Sequence, residues 1–502
     1  MSFMITIAPE GRKIPAEQGQ TLLDALRRQG LAPDAPCGGN GKCGKCTLSV
    51  DGNSVLSCQY AITRNITVQS APRADSSRVL THGDGARTEM EPLRSGCLAA
   101  FDIGTTTIVC YLLDGTTGDV LSVRSAVNPQ ESFGADVISR IQHALTGSLD
   151  ILTKLLRGEM SSLLAKACVD ASITPQQVGV VSFVGNPCMQ QLFLGISPRN
   201  LAEIPFAPVL NRCQILEARH YLPECTDAAL VVVPDISGYV GADTVGCILS
   251  TGMDQAEAMA LMVDIGTNGE MVLGNRHRMT ACATAAGPAL EGARIRFGMR
   301  GCQGAIDHVW LENGALQCSV IGGGTAVGIC GSGLIDAVAV LLDTGLINRR
   351  GRLSPRESAP VLQEHLREEQ AQRVFTLKDG VYLTQEDIRE VQMAKGAIAA
   401  GIDLMAAHLG ISTDEIQQVL LAGAFGSYIR PESACRIGLL PPKLLPKIRT
   451  VGNAAGSGAR RLACNQREMA RAQQAAQQTE FLELASMPDF QKCFARNMMF
   501  CQ

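Results

Sequence analysis

Two stretches, Ala99-Ala100-Phe101-Asp102-Ile103-Gly104-Thr105-Thr106-Thr107-Ile108-Val109 and Leu261-Met262-Val263-Asp264-Ile265-Gly266-Thr267-Asn268-Gly269-Glu270-Met271-Val272-Leu273, follow one pattern. Each is an apolar strand, an Asp-Ile-Gly-Thr turn and a second strand. Asp102 and Asp264 lie 162 positions apart, room for one α/β lobe each. In such a hairpin the glycine lets the backbone approach a phosphate, and the following N–H and hydroxyl groups donate to it. The aspartate carboxylate can hold the water shell of Mg²⁺ or orient a water for attack. One Asp-x-Gly hairpin is weak evidence, because Asx turns arise for structural reasons. Two, each set between strands, point to a duplicated phosphate site: Asp102 with Gly104, Thr105 and Thr106, and Asp264 with Gly266, Thr267 and Asn268.

A third element lies downstream. Gln418-Val419-Leu420-Leu421-Ala422-Gly423-Ala424-Phe425-Gly426-Ser427-Tyr428 reads as a buried strand ending in a glycine turn. Gly423, Ala424, Phe425 and Gly426 would let adenine and ribose lie against the backbone. Val327-Gly328-Ile329-Cys330-Gly331-Ser332-Gly333-Leu334-Ile335-Asp336 reads as a glycine loop opening a helix. The N-terminus of that helix at Gly331, Ser332 and Gly333 could face phosphate, or could be purely structural. No G-x-x-x-x-G-K-[ST] is present, so the chain is not a P-loop protein.

The N-terminal segment carries a different chemistry. Cys37, Cys43, Cys46 and Cys58 form C-x5-C-x2-C followed by x11-C, the first three inside Cys37-Gly38-Gly39-Asn40-Gly41-Lys42-Cys43-Gly44-Lys45-Cys46. Thiolates this close converge on one inorganic core only if the loop wraps tightly. Gly38, Gly39, Gly41 and Gly44 permit positive φ and free backbone N–H groups to face bridging sulfides. Cys46 enters a strand, Thr47–Val50; Asp51-Gly52 offers a tight turn, and Val55-Leu56 lead back to Cys58. Met4–Ile7 with Arg12–Ile14 read as a strand pair, and Thr21–Arg28 as an amphipathic helix. Four thiolates also satisfy Zn²⁺, but zinc ribbons usually pair two CxxC knuckles, and here there is one. The reading is a [2Fe-2S] site.

Composition bounds the rest. The chain has 502 residues, a prior of roughly three domains. Hydrophobic residues make up 46% and charged residues 18%, enough apolar matter for large cores. A net charge of −4 excludes a generic nucleic-acid binder. No run of 18 apolar residues suggests a membrane span, and no basic segment leads an apolar one at the N-terminus, so a cytoplasmic protein is expected. The 19 cysteines are odd in number and mostly isolated, as at Cys110, Cys168 and Cys247, and read as small buried hydrophobes. The seven histidines show no metal spacing. Expected boundaries are 1–72 for the cluster domain, 73–96 for a polar linker, 97–255 and 256–480 for two lobes, and 481–502 for a terminal tail. Ala463 to Gln502 reads as a helix and an end segment, with Cys493 and Cys501 as packing or idle thiols.

Residues 1 to about 72 resemble the plant-type [2Fe-2S] ferredoxin domain, with five residues rather than four in the first spacing. The hairpins and the Gly423–Gly426 turn resemble the actin-like ATPase superfamily of acetate and sugar kinases, the seventy-kilodalton heat-shock proteins and actin, whose two related lobes close on ATP. The resemblance implies an α+β ferredoxin-like β-grasp domain followed by an α/β ATPase of two ribonuclease-H-like lobes. It maps Asp102 and Gly104–Thr106 to the first phosphate loop, Asp264 and Gly266–Asn268 to the second, and Gly423–Gly426 to the adenosine loop.

The two together resemble the reductive activators of corrinoid proteins. Further stretches match that family: Asn128-Pro129-Gln130 with Phe133-Gly134-Ala135-Asp136-Val137-Ile138-Ser139-Arg140, Val184-Gly185-Asn186 with Met189, Tyr239–Asp243, Cys282–Gly292 and Gly298–Arg300. Asp136–Arg140 also reads as the solvated face of a helix, and Gly287-Pro288 as a plain turn. The resemblance implies ATP, Mg²⁺ and a [2Fe-2S] cluster, a corrinoid methyl-carrier partner, an external low-potential electron donor and a possible homodimer. Relatives commonly carry an extra domain where about 25 linker residues stand here. Three other readings stay open: an activator of a dehydratase or reductase, a small-molecule kinase with a redox domain, and a non-enzymatic electron-transfer adaptor.

Overall fold

The computed structural model describes residues 2–33, 35, 37–41, 44–69, 88–266, 268–284, 287–292, 294–356, 361–369 and 371–500. Of the candidate site, Cys43, Thr267 and the side chains of Ala424 and Phe425 lie outside the described residues, as do Cys501 and linker residues 73–87.

The N-terminal module is a five-stranded sheet in the order β2-β1-β5-β3-β4: β1 (Ser2–Ala8), β2 (Arg12–Glu17), β3 (Thr47–Val50), β4 (Asn53–Leu56) and β5 (Ile66–Gln69). Helix α1 (Leu22–Arg27) starts where the Thr21 hydroxyl accepts from the Asp24 N–H. Its Leu22, Ala25 and Leu26 join Ile5, Ile7, Ile14, Leu48, Val50, Ile66 and Val68 in one core. Asp51 (φ 49) and Gly52 (φ 86) both take left-handed backbone, as a two-residue hairpin of matching twist requires. Strand β5, absent from the sequence reading, sits at the centre, parallel to β1 with Ile5 opposite Ile66. This is the β-grasp arrangement.

The chain divides into two compact units. The first joins this module to Glu89–Val232 and Ala463–Gln466; the second holds Val233–Leu462 and Arg467–Gln502. In the first unit β6 (Cys97–Ile103), β7 (Thr107–Leu113), β8 (Val120–Val127), β9 (Val178–Gly185), β10 (Gln214–Glu217) and β11 (Ala229–Val232) form a sheet ordered β10-β11-β9-β6-β7-β8. Helices α2 (Val137–His143), α3 (Leu149–Asp170) and α4 (Pro187–Leu194) supply the crossovers. Phe101, Ile103, Leu156, Met160, Phe183 and Phe193 fill the core.

The second unit begins with α5 (Ala242–Thr251). It has its own six-stranded sheet, β22-β21-β12-β13-β14-β23, in which β12 (Ala260–Ile265), β13 (Gly269–Asn275) and β14 (Arg278–Thr284) come first. Inserted next are β15 (Ala305–Glu312), β16 (Ala315–Val320) and β17 (Gly328–Ile329) in one small sheet, then α6 (Gly331–Asp343). A second small sheet of β18 (Leu366–Glu369), β19 (Gln372–Thr376) and β20 (Tyr382–Thr384) precedes α7 (Gln385–His408). The chain then runs through β21 (Gln418–Ala422), α8 (Gly423–Tyr428), α9 (Pro431–Ile437), β22 (Ile448–Gly452), α10 (Ala454–Cys464), α11 (Arg467–Gln478), β23 (Thr479–Phe481) and α12 (Phe490–Asn497).

The duplication read from the two hairpins extends to topology. Both large sheets run as an antiparallel three-strand meander whose first strand pairs in parallel with a fourth, and the fourth in parallel with a fifth. That is the ribonuclease-H-like order, repeated. Several boundaries differ from the sequence reading. Residues 233–255, expected in the first lobe, pack with the second unit. The terminal region contributes a strand besides helices: β23 pairs with β14, placing Met279 opposite Thr479. Helix α12 packs on α7, where the Gln392 side-chain amide donates to the Met498 carbonyl and Cys493 is buried. Among the described residues every cysteine is a free thiol, and Cys110, Cys168 and Cys247 are buried. No helix among the described residues is long and apolar enough to cross a membrane.

Candidate functional site

The cluster loop adopts the backbone its glycines allow. Gly38 (φ 67), Gly39 (φ 95), Gly41 (φ 73) and Gly44 (φ 69) are all left-handed. A side chain at Gly41 would drive into Gln59, whose amide nitrogen lies 2.2 Å from a Cβ placed there. Strands β3 and β4 bring Cys58 back beside Cys46, held by the Ser57 N–H and hydroxyl, both donating to the Cys46 carbonyl at 3.0 and 2.8 Å. The Cys58 thiol contacts that of Cys46, feels Cys37, and receives the Gly41 N–H. Burial and these neighbouring sulfurs push it up to about 11. Three of the four predicted thiols are thus brought together. Among the described residues no three metal-binding side chains form a closed ligand set; Cys43 would be the fourth ligand. A thiol-rich loop whose Gly41 N–H already faces the Cys58 sulfur fits an iron–sulfur group, whose ligands are thiolates and whose sulfides take N–H donors.

Arg27, the last residue of α1, is buried beneath this loop. Its guanidinium donates to the Gly38 carbonyl (3.0 Å), to Asp24 (2.9 Å) and to the Ser132 carbonyl (2.7 Å), and stacks 4.9 Å over Phe133. His143 also donates to the Gly38 carbonyl, at 3.2 Å. Burial, and next the Arg27 charge, lower the His143 pKa, so the neutral ring is favoured.

The first Asp-Ile-Gly-Thr hairpin joins β6 to β7, closed by the Gly104 N–H donating to the Thr107 carbonyl at 2.8 Å. Neighbours that the sequence reading did not count as site residues hold it. Asn128 donates its amide to the Gly104 carbonyl (2.9 Å) and its backbone N–H to that of Thr106 (2.8 Å). Asn186, the cap of α4, reaches the Thr105 hydroxyl at 3.0 Å. Arg140 donates to the Thr105 carbonyl at 2.5 Å and to the Gly134 carbonyl at 3.0 Å. Arg140 is fully buried, so the solvated-face reading of Asp136–Arg140 fails. The signal was available: Asn128, Arg140 and Asn186 all lie in stretches that stood out by resemblance.

The second hairpin joins β12 to β13, closed by the Gly266 N–H donating to the Asn268 carbonyl at 2.9 Å. Asp264 stands opposite Glu270 across the strands and beside Ala422 of β21. Gly423 follows at φ 79, and a Cβ there would sit 2.2 Å from the Asp264 carboxylate. The Gly423–Gly426 segment forms the first turn of α8 instead of an open glycine turn. The sequence reading missed two carboxyls here. Asp243 on α5 and Asp264 both act electrostatically on Glu270. Burial lifts Asp243 to about 6, and burial with the Asp243 and Asp264 charges lifts Glu270 well above the usual carboxylate range. Carboxyl oxygens are the donor type that Mg²⁺ takes, and because these three do not close on a common point they fit a hydrated ion held through its waters.

Gly331, Ser332 and Gly333 open α6 but are buried. The Ser332 hydroxyl donates to the Asp307 carbonyl at 2.8 Å, and a Cβ on Gly333 would strike the Ile306 carbonyl at 2.4 Å. Close packing against β15 is therefore sufficient reason for that glycine.

Three family models cover nearly the whole chain: the 2Fe-2S iron-sulfur cluster binding domain over residues 5–67, the RACo middle region over 97–256, and the C-terminal domain of RACo, the ASKHA domain, over 258–502. The chain is 31% identical over an alignment of 581 residues to the corrinoid activation enzyme RamQ of Eubacterium limosum, covering 97% of each. It is 26% identical over 396 residues to the [Co(II) methylated amine-specific corrinoid protein] reductase of Methanosarcina barkeri, covering 72% of this chain and 69% of that one. The solved structure of a reductive activator for corrinoid, iron-sulfur protein superposes with a TM-score of 0.73 at 26% identity, covering 99% of this chain and 98% of that one.

Proposed function

Because the chain belongs to the family of reductive activators of corrinoid proteins, we propose that it returns the inactive Co(II) of a corrinoid methyl carrier to Co(I), one electron at a time, at the expense of ATP. The observation that carries this is the union, in one polypeptide aligned along 97% of a corrinoid activation enzyme, of a converging thiol loop and two hairpin-bearing sheets of ribonuclease-H-like order.

The energetic problem explains the pairing. A one-electron gap of about 0.2 V corresponds to roughly 5 kcal/mol. When bound, a plant-type [2Fe-2S] cluster supplies single electrons near about −400 mV, a marginal donor for cobalt. Nucleotide binding has to favour the complex in which cobalt is easier to reduce, and hydrolysis has to release it.

The residues divide the work. Cys37, Cys43, Cys46 and Cys58 would hold the cluster, in a loop whose glycines take left-handed backbone. Asp102 and Asp264 would hold Mg²⁺ through its water shell and orient a water for attack, with Asp243 and Glu270 adding to the acidic surroundings of Asp264. Gly104, Thr105, Thr106, Gly266, Thr267 and Asn268 bind phosphate oxygens, assisted by backbone N–H groups at Gly331–Gly333. Gly423–Gly426 receive the adenosine. The electron enters from an external low-potential donor.

The test compares Co(II) reduction of a corrinoid protein under a mild donor, with and without ATP. Faster and more complete reduction with ATP is expected. Equal rates and extents in both would refute the coupling.

A further inference from the structure

The first unit contains an unbroken chain of contacts from the phosphate hairpin to the cluster loop. At one end Arg140 grips the Thr105 carbonyl. The same guanidinium holds the Gly134 carbonyl and the Gln130 side chain, at 3.0 and 3.2 Å. Residues 128–134 between them form a buried turn, with Asn128 and Gln130 fully enclosed and Phe133 nearly so. It cannot easily deform. Asn128 caps its start and Asp136 caps the following helix, while a Cβ on Gly134 would strike Ser139 at 2.3 Å. At the other end the Ser132 carbonyl and Phe133 ring seat Arg27, which also donates to Asp24 and to the Gly38 carbonyl in the cluster loop. His143 and Ser139 close on the same glycine. The Arg27 charge also lies in the field of Cys46 and Cys58.

We propose that Arg140 and Arg27 are positioning residues which, through the 128–134 turn, make nucleotide occupancy and the redox state of the cluster depend on each other. The inference rests on the function proposed above and adds its internal linkage. Phosphate settling on Gly104–Thr106 shifts the Thr105 carbonyl. Close-packed interiors transmit such a shift instead of absorbing it. The turn carries it to Arg27, and moving a cation near the cluster thiolates changes how readily they accommodate an added electron. No bond is made or broken in this step; the electron comes from the external donor. Linkage is reciprocal, so reduction must alter nucleotide affinity by the factor that nucleotide alters the reduction equilibrium.

The experiment uses the iron-loaded full chain and a non-hydrolysable ATP analogue. Its dissociation constant is measured on oxidised and dithionite-reduced protein, and the midpoint potential with and without analogue. A roughly tenfold ratio of constants is expected, within the usual range of coupling, equivalent to about 59 mV of potential. Arg27→Lys keeps a positive charge but cannot bridge Ser132 and Gly38 together, so its ratio should fall toward one while the cluster spectrum persists. His143→Gln, which retains a donor toward Gly38, should keep most of the ratio. A ratio within twofold of one in the unmodified protein overturns the proposal, as does a tenfold ratio that survives Arg27→Lys. Protein that holds iron and analogue independently overturns only this linkage. Protein that takes up neither overturns the proposed function as well.

Discussion

Replacing Gly423 with alanine separates backbone strain from displacement of the Asp264 carboxylate, the group proposed to act at the reacting phosphate. At φ 79 an alanine incurs about 1–2 kcal/mol of left-handed strain. Its Cβ would also lie 2.2 Å from an Asp264 carboxylate oxygen, so the carboxylate has to move by roughly 1 Å. Misplacements of that size can cost on the order of 100-fold in rate. Gly410 is the matched control: φ is 67, and nothing lies within 4 Å of a Cβ placed there. Strain of this size in a unit of roughly 250 residues lowers Tm by a few degrees, at about 2–4 °C per kcal/mol. Gly410→Ala should therefore lose a few degrees by calorimetry and keep its corrinoid-stimulated ATPase. Gly423→Ala should lose at least as much stability and about 100-fold of the ATPase. Unchanged turnover in Gly423→Ala, or equal losses in both variants, would refute the placement of Asp264 at the reacting phosphate.

Other expectations follow from the same geometry. Cys58→Ser should lose most of its iron and its visible spectrum while retaining ATP hydrolysis, measured by iron assay and phosphate release. Asp264→Asn should show the reverse, a full complement of iron with ATPase reduced by at least 100-fold. Burial and the Asp243 and Asp264 charges raise the Glu270 pKa well above the usual carboxylate range, so Glu270→Gln should leave thermal stability without Mg²⁺ nearly unchanged and weaken Mg²⁺-dependent nucleotide binding in a titration. His143 has its pKa lowered on folding, so the unfolded chain binds the extra proton first. Its contribution to stability is full above the unfolded value near 6.5 and falls away as pH drops through the lower folded value. His143→Gln should flatten the Tm profile below about pH 6.5, and a slope equal to that of the unmodified protein would count against the half-buried neutral ring.

Local chemistry was legible in the sequence because it is written in short spacings. Cys37 and Cys46 share one glycine loop, and each Asp-Ile-Gly-Thr turn joins two strands that pair with each other. The strands 2–8, 12–17, 47–50 and 53–56 and helix α1 follow from alternation, turn residues and a Thr21 cap, all within a few positions. Even the left-handed backbone of Gly38, Gly39, Gly41 and Gly44 was implied by residue type.

Tertiary structure decided what depends on distant partners. Strand β5 is short and lies at the sheet centre only because β1 offers it a parallel edge 61 positions away. Arg27 and Ser132 are 105 positions apart, and Arg140 reads as a surface residue until the fold surrounds it with the carbonyls of Thr105 and Gly134. Asp243 and Glu270 acquire their shifted proton affinities only when α5 is brought beside β12 and β13. A buried charge or a crowded carboxyl takes its properties from neighbours in space, and periodicity along the chain carries no record of which distant segment those neighbours come from.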